Sequence, residues 1–156
     1  MNSDHGLTMY SISQFLDKKG RNVFSVHRSA PVFEALELMA EKNCGALVVL
    51  DDDGQLAGVI SERESARKVV LHTKTSIDTP VSEIMTADVV TVDDGHTLDQ
   101  CLTIMAKHNI RHLPVVEQRK VVGVLGIGEL VNQKMAEKEG QIKDLTTYIS
   151  GNLAYR

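Results

Sequence analysis

Ser61-Glu-Arg-Glu64 sets a hydroxyl and a carboxylate three residues apart, at the head of a segment that continues through Ala66, Val69 and Val70. That spacing is a capping box, in which the Ser hydroxyl accepts an orphan N–H of the first helical turn and the Glu reaches back to the cap's own N–H. A helix N-terminus is also where a phosphate binds, since its unpaired N–H groups point at the ligand and the dipole favours negative charge. Arg63, Arg67 and Lys68 crowd around this terminus and bring the charge to neutralise an anion, although such charges on an exposed helix face are more often simply solvated. On these residues alone the capping reading leads.

Other chemistries find less support. Hydrolysis needs a nucleophile, a base and a group to orient it, and the six histidines (His5, His27, His72, His96, His108 and His112) offer raw material, yet none stands in a nucleophile motif. His96, Cys101, His108 and His112 are zinc-type donors, but His108 falls near a helix end and His112 enters a strand, so their spacing does not share one helical face. Three adjacent acids, Asp51 to Asp53, cannot all turn towards one calcium ion, and a solvated turn is expected there. Cys44 and Cys101 fit buried thiols of a reducing compartment better than a disulfide framework or a metal pair. No enzyme and no metal site is expected.

The elements that position these residues are duplicated. Val23-Phe-Ser-Val26 recurs as Val89-Val-Thr-Val92, Leu36, Met39, Ala40 and Asn43 recur as Leu102, Met105, Ala106 and Asn109, and Leu47 and Val49 recur as Leu113 and Val115, all 66 positions on. Gly58-Val59 and Glu64 return as Gly123-Val124 and Glu129 after 65, so one residue is missing from an intervening turn. Two copies of one supersecondary unit bury their apolar faces on each other, and function belongs at the seam.

Each copy reads as strand, helix, strand, strand, helix. Val32, Ala35, Leu36 and Met39, and again Leu98, Cys101, Leu102 and Met105, form a helical apolar face; Pro31 opens the first helix at its first position, and Thr97-Leu-Asp-Gln100 has the form of a capping box for the second. Ala46 to Leu50 and Gln55 to Ile60 flank Asp51-Asp-Asp-Gly54 as a hairpin, matched by Leu113 to Val116 and Val121 to Leu125 around Glu117 to Lys120. Between the copies, Thr79 caps a short helix with Pro80 at its first position, and Ser13-Gln-Phe-Leu16 stands where Ser82-Glu-Ile-Met85 does, so the lead-in is duplicated too. Ile142, Leu145 and Ile149 recur at helical spacing in the tail, for packing within the chain or against a second subunit.

The 156 residues, 42% apolar and 24% charged, suit a globular protein with a real core. A net charge of −4 argues against nucleic-acid or acidic-membrane partners, whose phosphates call for a Lys and Arg excess. With no membrane span and no signal-like N-terminus in the sequence, a cytoplasmic protein is expected.

In its ordered motifs, from Gly45-Ala-Leu-Val-Val and Gly58-Val-Ile-Ser-Glu-Arg-Glu64 to Ile110-Arg-His-Leu-Pro-Val115 and Val122-Gly-Val-Leu125, the chain resembles the cystathionine β-synthase (CBS) domain twice over, across roughly residues 11 to 137. It looks like the stand-alone bacterial proteins that consist of one CBS pair. The resemblance implies an α/β fold of tandem CBS repeats, β-α-β-β-α units related by a pseudo-twofold axis. The chain then divides into a lead-in at 1–22, repeat 1 at 23–72, a linker with a short helix at 73–88, repeat 2 at 89–137 and a helical tail at 138–156.

The same resemblance implies two shared clefts for an adenosine nucleotide, AMP, ADP, ATP or NAD, with no catalytic cofactor. In such proteins a Ser or Thr and an Asp three residues on hold the ribose and phosphate; here Ser61 and Glu64 match them in one repeat, Gly126 and Glu129 in the other. Each Glu reaches about 1.5 Å further than Asp. The first cleft would join Ser61, Arg63, Glu64, Arg67 and Lys68 to Gly45, Ala46, His96, Cys101, Ile110, Arg111 and His112. The second would join Gly126 and Glu129 to Ala30, Ala35, Cys44, Gly45, Ala46, Arg111 and His112. Its hydroxyl and neighbouring cations rank the first grip ahead. A homodimer, and output through an unidentified effector protein or through dimer geometry, complete what the resemblance implies; a tandem that has lost its nucleotide and persists as a dimerising scaffold is the alternative.

Overall fold

The computed structural model describes residues 10–71 and 75–146. In chain order these form α1 (Ile12–Lys19), β1 (Ser25–His27), α2 (Val32–Lys42), β2 (Ala46–Leu50), β3 (Leu56–Ser61), α3 (Glu62–Leu71), α4 (Val81–Ile84), α5 (Leu98–His108), β4 (His112–Glu117), β5 (Lys120–Gly126) and α6 (Ile127–Thr146). The repeats are visible residue by residue. Helix α2 buries Val32, Ala35 and Met39, while α5 buries Leu98, Cys101 and Met105 at the same spacing. Asn43 and Asn109 end these helices in the left-handed region, at φ 54° and 53°, which Asn tolerates better than most residues.

Strands β1, β2 and β3 make one sheet, with β1 parallel to β2 and β3 antiparallel to it. The second sheet contains β4 and β5, and the strand expected over Val89 to Val92 shrinks to a single bridge between Val92 and Val115. The cause is Pro114, which stands where Val48 stands in repeat 1. Val48 donates its N–H to Phe24 (3.2 Å), but Pro114 has no N–H and only accepts from Val92 (3.1 Å). Two positions beyond the bridge, the Asp94 N–H turns to the Glu117 carboxylate (2.8 Å), whereas its counterpart Arg28 bonds the Leu50 carbonyl (3.0 Å).

Both hairpins form where expected. In the first, Gly54 takes φ 78° and the Asp51 carboxylate accepts the N–H groups of Asp53 and Gln55. The second is one residue shorter and puts Gln118 and Arg119 at φ 50° and 68°, which accounts for the repeat offset changing from 66 to 65. Proline placement differs from expectation by one residue: Pro31 and Pro80 are N-caps, with the helices starting at Val32 and Val81, and Thr79 is no cap. Pro31 and Pro80 form an extended bridge, in which Val32 N–H bonds Thr79 C=O (2.8 Å) and Val81 N–H bonds Ala30 C=O (2.7 Å), so the Thr79 backbone is used in pairing.

The lead-ins change places. Ile12, Phe15 and Leu16 of α1 are buried in the core of repeat 2, among Val92, Leu98, Met105, Leu113 and Leu125. Val81 and Ile84 of α4, which precede repeat 2, are buried in the core of repeat 1 with Val32, Met39, Leu47 and Ile60. Each such side chain contributes roughly 1.5–3 kcal/mol on burial, so neither repeat completes its core from its own segment. Helix α6 runs continuously past residue 137; the side chains of Ile142 and Leu145, and all of Ile149, lie outside the described residues.

The exchange explains why Gly58 and Gly123 both recur. A Cβ on Gly123 would sit 2.8 Å from Leu16 of α1, and one on Gly58 would sit 2.6 Å from the Thr86 carbonyl and 2.7 Å from Met85 Sδ, just past α4. The contact at Gly123 is the far end of a flexible Leu16 side chain, whereas the Thr86 backbone is pinned by paired hydrogen bonds to Val59 (3.0 and 2.9 Å). Overpacking of this kind costs roughly 1–3 kcal/mol. Urea titrations should therefore place Gly58→Ala near the top of that range and Gly123→Ala near the bottom; equal losses would mean that the two contacts are equally compliant.

Candidate functional site

A cavity of about 580 Å³ opens at the seam between the repeats. From repeat 1 it takes Phe24, Lys42, Asn43, Cys44, Gly45 and Ala46; from repeat 2, Arg111, His112, Val124 and residues Gly126 to Glu129; from the lead-in, Lys19, Gly20 and Asn22. Local folding explains this convergence. Cross-strand pairing sets His112 opposite Gly126, and the Ile127 N–H bonds the Arg111 carbonyl (2.9 Å), so the N-terminus of α6 is tied to the start of β4. Repeat 1 does the same with Ala46 opposite Ser61 and the Glu62 N–H on the Gly45 carbonyl (2.9 Å).

The polar groups of the cavity are unevenly matched. Glu129 folds back over its helix terminus, where one carboxylate oxygen accepts the Gly126 N–H (3.0 Å). Lys19 Nζ, from the last residue of α1, donates to both oxygens of that carboxylate (2.8 and 3.0 Å) and to the Val124 carbonyl (2.8 Å). Lys42 Nζ lies 5.4 Å from the Phe24 ring centroid, and Arg111 is exposed. Burial holds the His112 imidazole below its usual range; the Glu129 charge opposes this, while Arg111 and Lys19 reinforce it. At neutral pH the cavity therefore presents three cations, one carboxylate and a neutral imidazole, beside the N-terminus of α6, whose dipole favours negative charge. That arrangement suits an anionic ligand with hydroxyls for the carboxylate and a flat apolar part against Gly45, Ala46 and Phe24.

Of the residues singled out from the sequence, the cavity brings together Cys44, Gly45, Ala46, Arg111, His112, Gly126 and Glu129. Ala35 is fully buried in the core of repeat 1, and Ala30 packs against that core. Cys101 is fully buried in the other core, where desolvation and the Asp93 charge push its thiol up to about 11, and Ile110 packs on that core. His96 lies on the outer side of α5, with Nδ1 3.0 Å from an Asp93 oxygen, and its hydrogen bond is the main reason that the Asp93 carboxyl sits below its usual range.

The first grip is engaged locally. Ser61 Oγ accepts the Glu64 N–H (3.1 Å), one limb of the expected capping box, while the Glu64 carboxylate takes the Thr86 hydroxyl (3.0 Å). Lys68 donates to the Ile84 carbonyl (2.9 Å), and Arg63 and Arg67 are exposed. Lys19, Lys42 and Phe24 escaped the sequence reading. Lys19 stands beside a helix-ending Gly20, where a basic residue is unremarkable, and nothing local says that this helix end meets the other repeat.

Among the described residues no group of three or more His, Cys, Asp and Glu is placed to hold a metal. His27 does sit between Ser29 Oγ (2.7 Å) and Asp52 Oδ1 (2.6 Å), but the Asp52 side chain is 90% exposed and the trio does not line the cavity described above. No described helix is long and apolar enough to cross a membrane.

The His112 environment has a consequence for pH. Unfolded, His112 takes up a proton near 6.5, while the folded cleft resists it, so the unfolded state binds more protons in acid. The stability tied to the neutral ring is complete above pH 6.5 and is lost as pH falls below it, towards and through the depressed folded value. Melting curves between pH 8 and pH 5, a range that spans the ordinary imidazole value of 6.5, should show a steeper acid-side decline for the native protein than for His112→Gln; parallel declines would mean that burial does not hold the ring neutral.

Comparison with known proteins points to one family. The sequence profile of the CBS domain matches residues 18–64 and 81–135. The CBS domain-containing protein YhcV of Bacillus subtilis is 33% identical over 130 residues, covering 83% of this chain and 91% of YhcV. The structure of a putative signal-transduction protein with CBS domains from Burkholderia ambifaria superposes with a TM-score of 0.76 at 41% identity, over 81% of this chain and 94% of that one. The CBS domain pair of protein MJ0100, solved with 5′-methylthioadenosine and S-adenosyl-L-methionine, superposes with a TM-score of 0.69 at 26% identity, over 76% of this chain and 92% of that one.

Proposed function

Because this chain belongs to the CBS-domain family and carries two such domains in tandem, we propose that it is a cytoplasmic regulator that binds an adenosine nucleotide (AMP, ADP, ATP or NAD) in the Gly126–Glu129 cleft. The observation that carries this is the cavity itself: both repeats line it, and Glu129, Lys19, Lys42 and Arg111 meet there at the N-terminus of α6. Glu129 supplies the acceptor for ribose hydroxyls, Arg111 and the lysines face the phosphate, and Gly45, Ala46 and Phe24 leave a flat slot for the base. The adenosine ligands of the MJ0100 pair support the ligand class. Free Cys44 and Cys101 fit a reducing compartment.

The order of the grips is here the reverse of that expected from side chains alone. Both carboxylates are engaged, Glu64 by Thr86 and Glu129 by Lys19, and what favours the second grip is that the cavity opens beside it. A bound nucleotide acts as a signal only if it prefers one arrangement of the repeats, and it reaches an effector protein through the surface or the homodimer geometry that this arrangement sets.

AMP or NAD at about a hundred times its Kd should raise the melting temperature by roughly 5–10 °C, with guanosine and pyrimidine nucleotides doing less. Glu129→Gln should weaken binding roughly tenfold or more, and Glu64→Gln less. No stabilisation by any adenosine compound at millimolar concentration would leave the ligand-free scaffold as the better reading, and Glu64→Gln as the more damaging change would return the site to the first grip. Light scattering at micromolar protein should give a dimer mass; a monomer with and without nucleotide would remove dimer geometry from the mechanism.

A further inference from the structure

In the arrangement described, Lys19 and the Gly126 N–H fill three of the roughly four acceptor positions of the Glu129 carboxylate, so the paired hydroxyls of a ribose compete with Lys19 for it. Lys19 contacts both oxygens, Gly126 N–H holds one of them, and the remaining Lys19 donor is on the Val124 carbonyl, so all three ammonium donors have partners. The Lys19 side chain is 26% exposed, so water replaces a lost partner only in part. A sugar whose two hydroxyls claim the carboxylate displaces at least one Lys19 contact and weakens this ion pair, unless the ligand brings the ammonium another acceptor.

We propose that Lys19 determines which adenosine ligands enter this cleft, acting as a latch that a phosphate-bearing ligand opens and an uncharged nucleoside does not. The proposal rests on reading the cleft as an adenosine site. A nucleotide takes Glu129 with its ribose and repays Lys19 with a phosphate oxygen, exchanging one charge-assisted contact for another. Adenosine takes the carboxylate and returns nothing. Lys42 and Arg111 line the same cavity but neither is bonded to Glu129, so they add charge without this exchange.

The other repeat shows that the latch is particular to one cleft. There Glu64 is held by the neutral Thr86 hydroxyl (3.0 Å), and the repeat alignment that matches Leu16 to Met85 matches Lys19 to Asp88, an acid. A ligand that displaces Thr86 leaves no charge behind, and Asp88 offers nothing to a phosphate. The clefts should therefore sort ligands by charge, with anions on the Glu129 side. Lys19 also belongs to α1, whose Ile12, Phe15 and Leu16 are core residues of repeat 2, so opening the latch frees the end of an anchored helix at Gly20, where φ is 104°.

Calorimetric titration of the full chain with AMP and with adenosine tests this, using the native protein, Lys19→Met, Lys19→Arg and Glu129→Gln. We expect the native protein to prefer AMP, Lys19→Met to lose roughly tenfold or more in AMP affinity while adenosine holds or gains, and Lys19→Arg to restore much of the preference. The ratio of the two affinities is the readout, because a merely structural role for Lys19 would weaken both ligands alike. An unchanged ratio in Lys19→Met, or a native preference for adenosine, would overturn the latch and leave the adenosine reading intact. Glu129→Gln with native AMP affinity would place the ligand elsewhere and overturn it too. Failure of the native protein to bind either compound would remove the adenosine reading and the latch with it.

Discussion

Four backbone hydrogen bonds hold this architecture in register. Val32 and Val81 donate across the Pro31–Pro80 bridge to Thr79 and Ala30, and Ile12 and Leu98 donate across the Ser11–Thr97 bridge to His96 and Tyr10, at 2.7 to 2.9 Å. Each bridge joins the start of a lead-in helix to the start of the main helix in the opposite repeat. Once both are made, α1 and α4 lie where their apolar residues complete the other repeat's core, and neither half is whole alone. The duplicated glycines follow from this exchange, since Gly58 and Gly123 are the points where a strand must let the borrowed segment approach.

The site depends on the same exchange. A lead-in that stayed with its own repeat would end far from the opposite helix terminus; crossing over, α1 ends with Lys19 against Glu129, and the segment after α4 ends with Thr86 against Glu64. Both carboxylates are thus held by a residue donated from outside the unit that carries them. Pseudo-symmetry makes the positions equivalent, and divergence between the copies makes the partners unlike: one an ammonium, the other a hydroxyl. The result is one carboxylate held by a charge and one held by a neutral hydroxyl on a common scaffold.

The helix termini show the divergence at finer grain. A full capping box has two limbs, and Ser11 with Gln14 and Thr97 with Gln100 make both. At α3 the Ser61 hydroxyl accepts the Glu64 N–H, while at α6, where Gly126 has no side chain, the Glu129 carboxylate accepts the cap N–H. Losing the hydroxyl thus left the carboxylate folded over its own helix terminus, within reach of Lys19. Neutral His112 beside it adds no charge to the cavity at pH 7 and keeps the contrast between Glu129 and the surrounding cations sharp.

Much of this was legible in the sequence by itself. The 66-residue periodicity, the matched helix faces, the hairpin turns and the Thr97 capping box are local consequences of residue type and spacing, and they determined the family, the β-α-β-β-α unit and the helix termini where an anion is welcomed. The one-residue displacement of Pro31 and Pro80 and the shortened edge at Pro114 were misread only because those prolines serve pairings with distant segments. What the tertiary structure decided is which groups meet. Lys19 and Glu129 are 110 residues apart, and no local preference of either predicts the other. The cleft on the side without the hydroxyl, and the different groups that engage the two carboxylates, depend on long-range packing of α1 and α4, because a side chain's chemistry is available to a ligand only after the fold has settled what else it must touch.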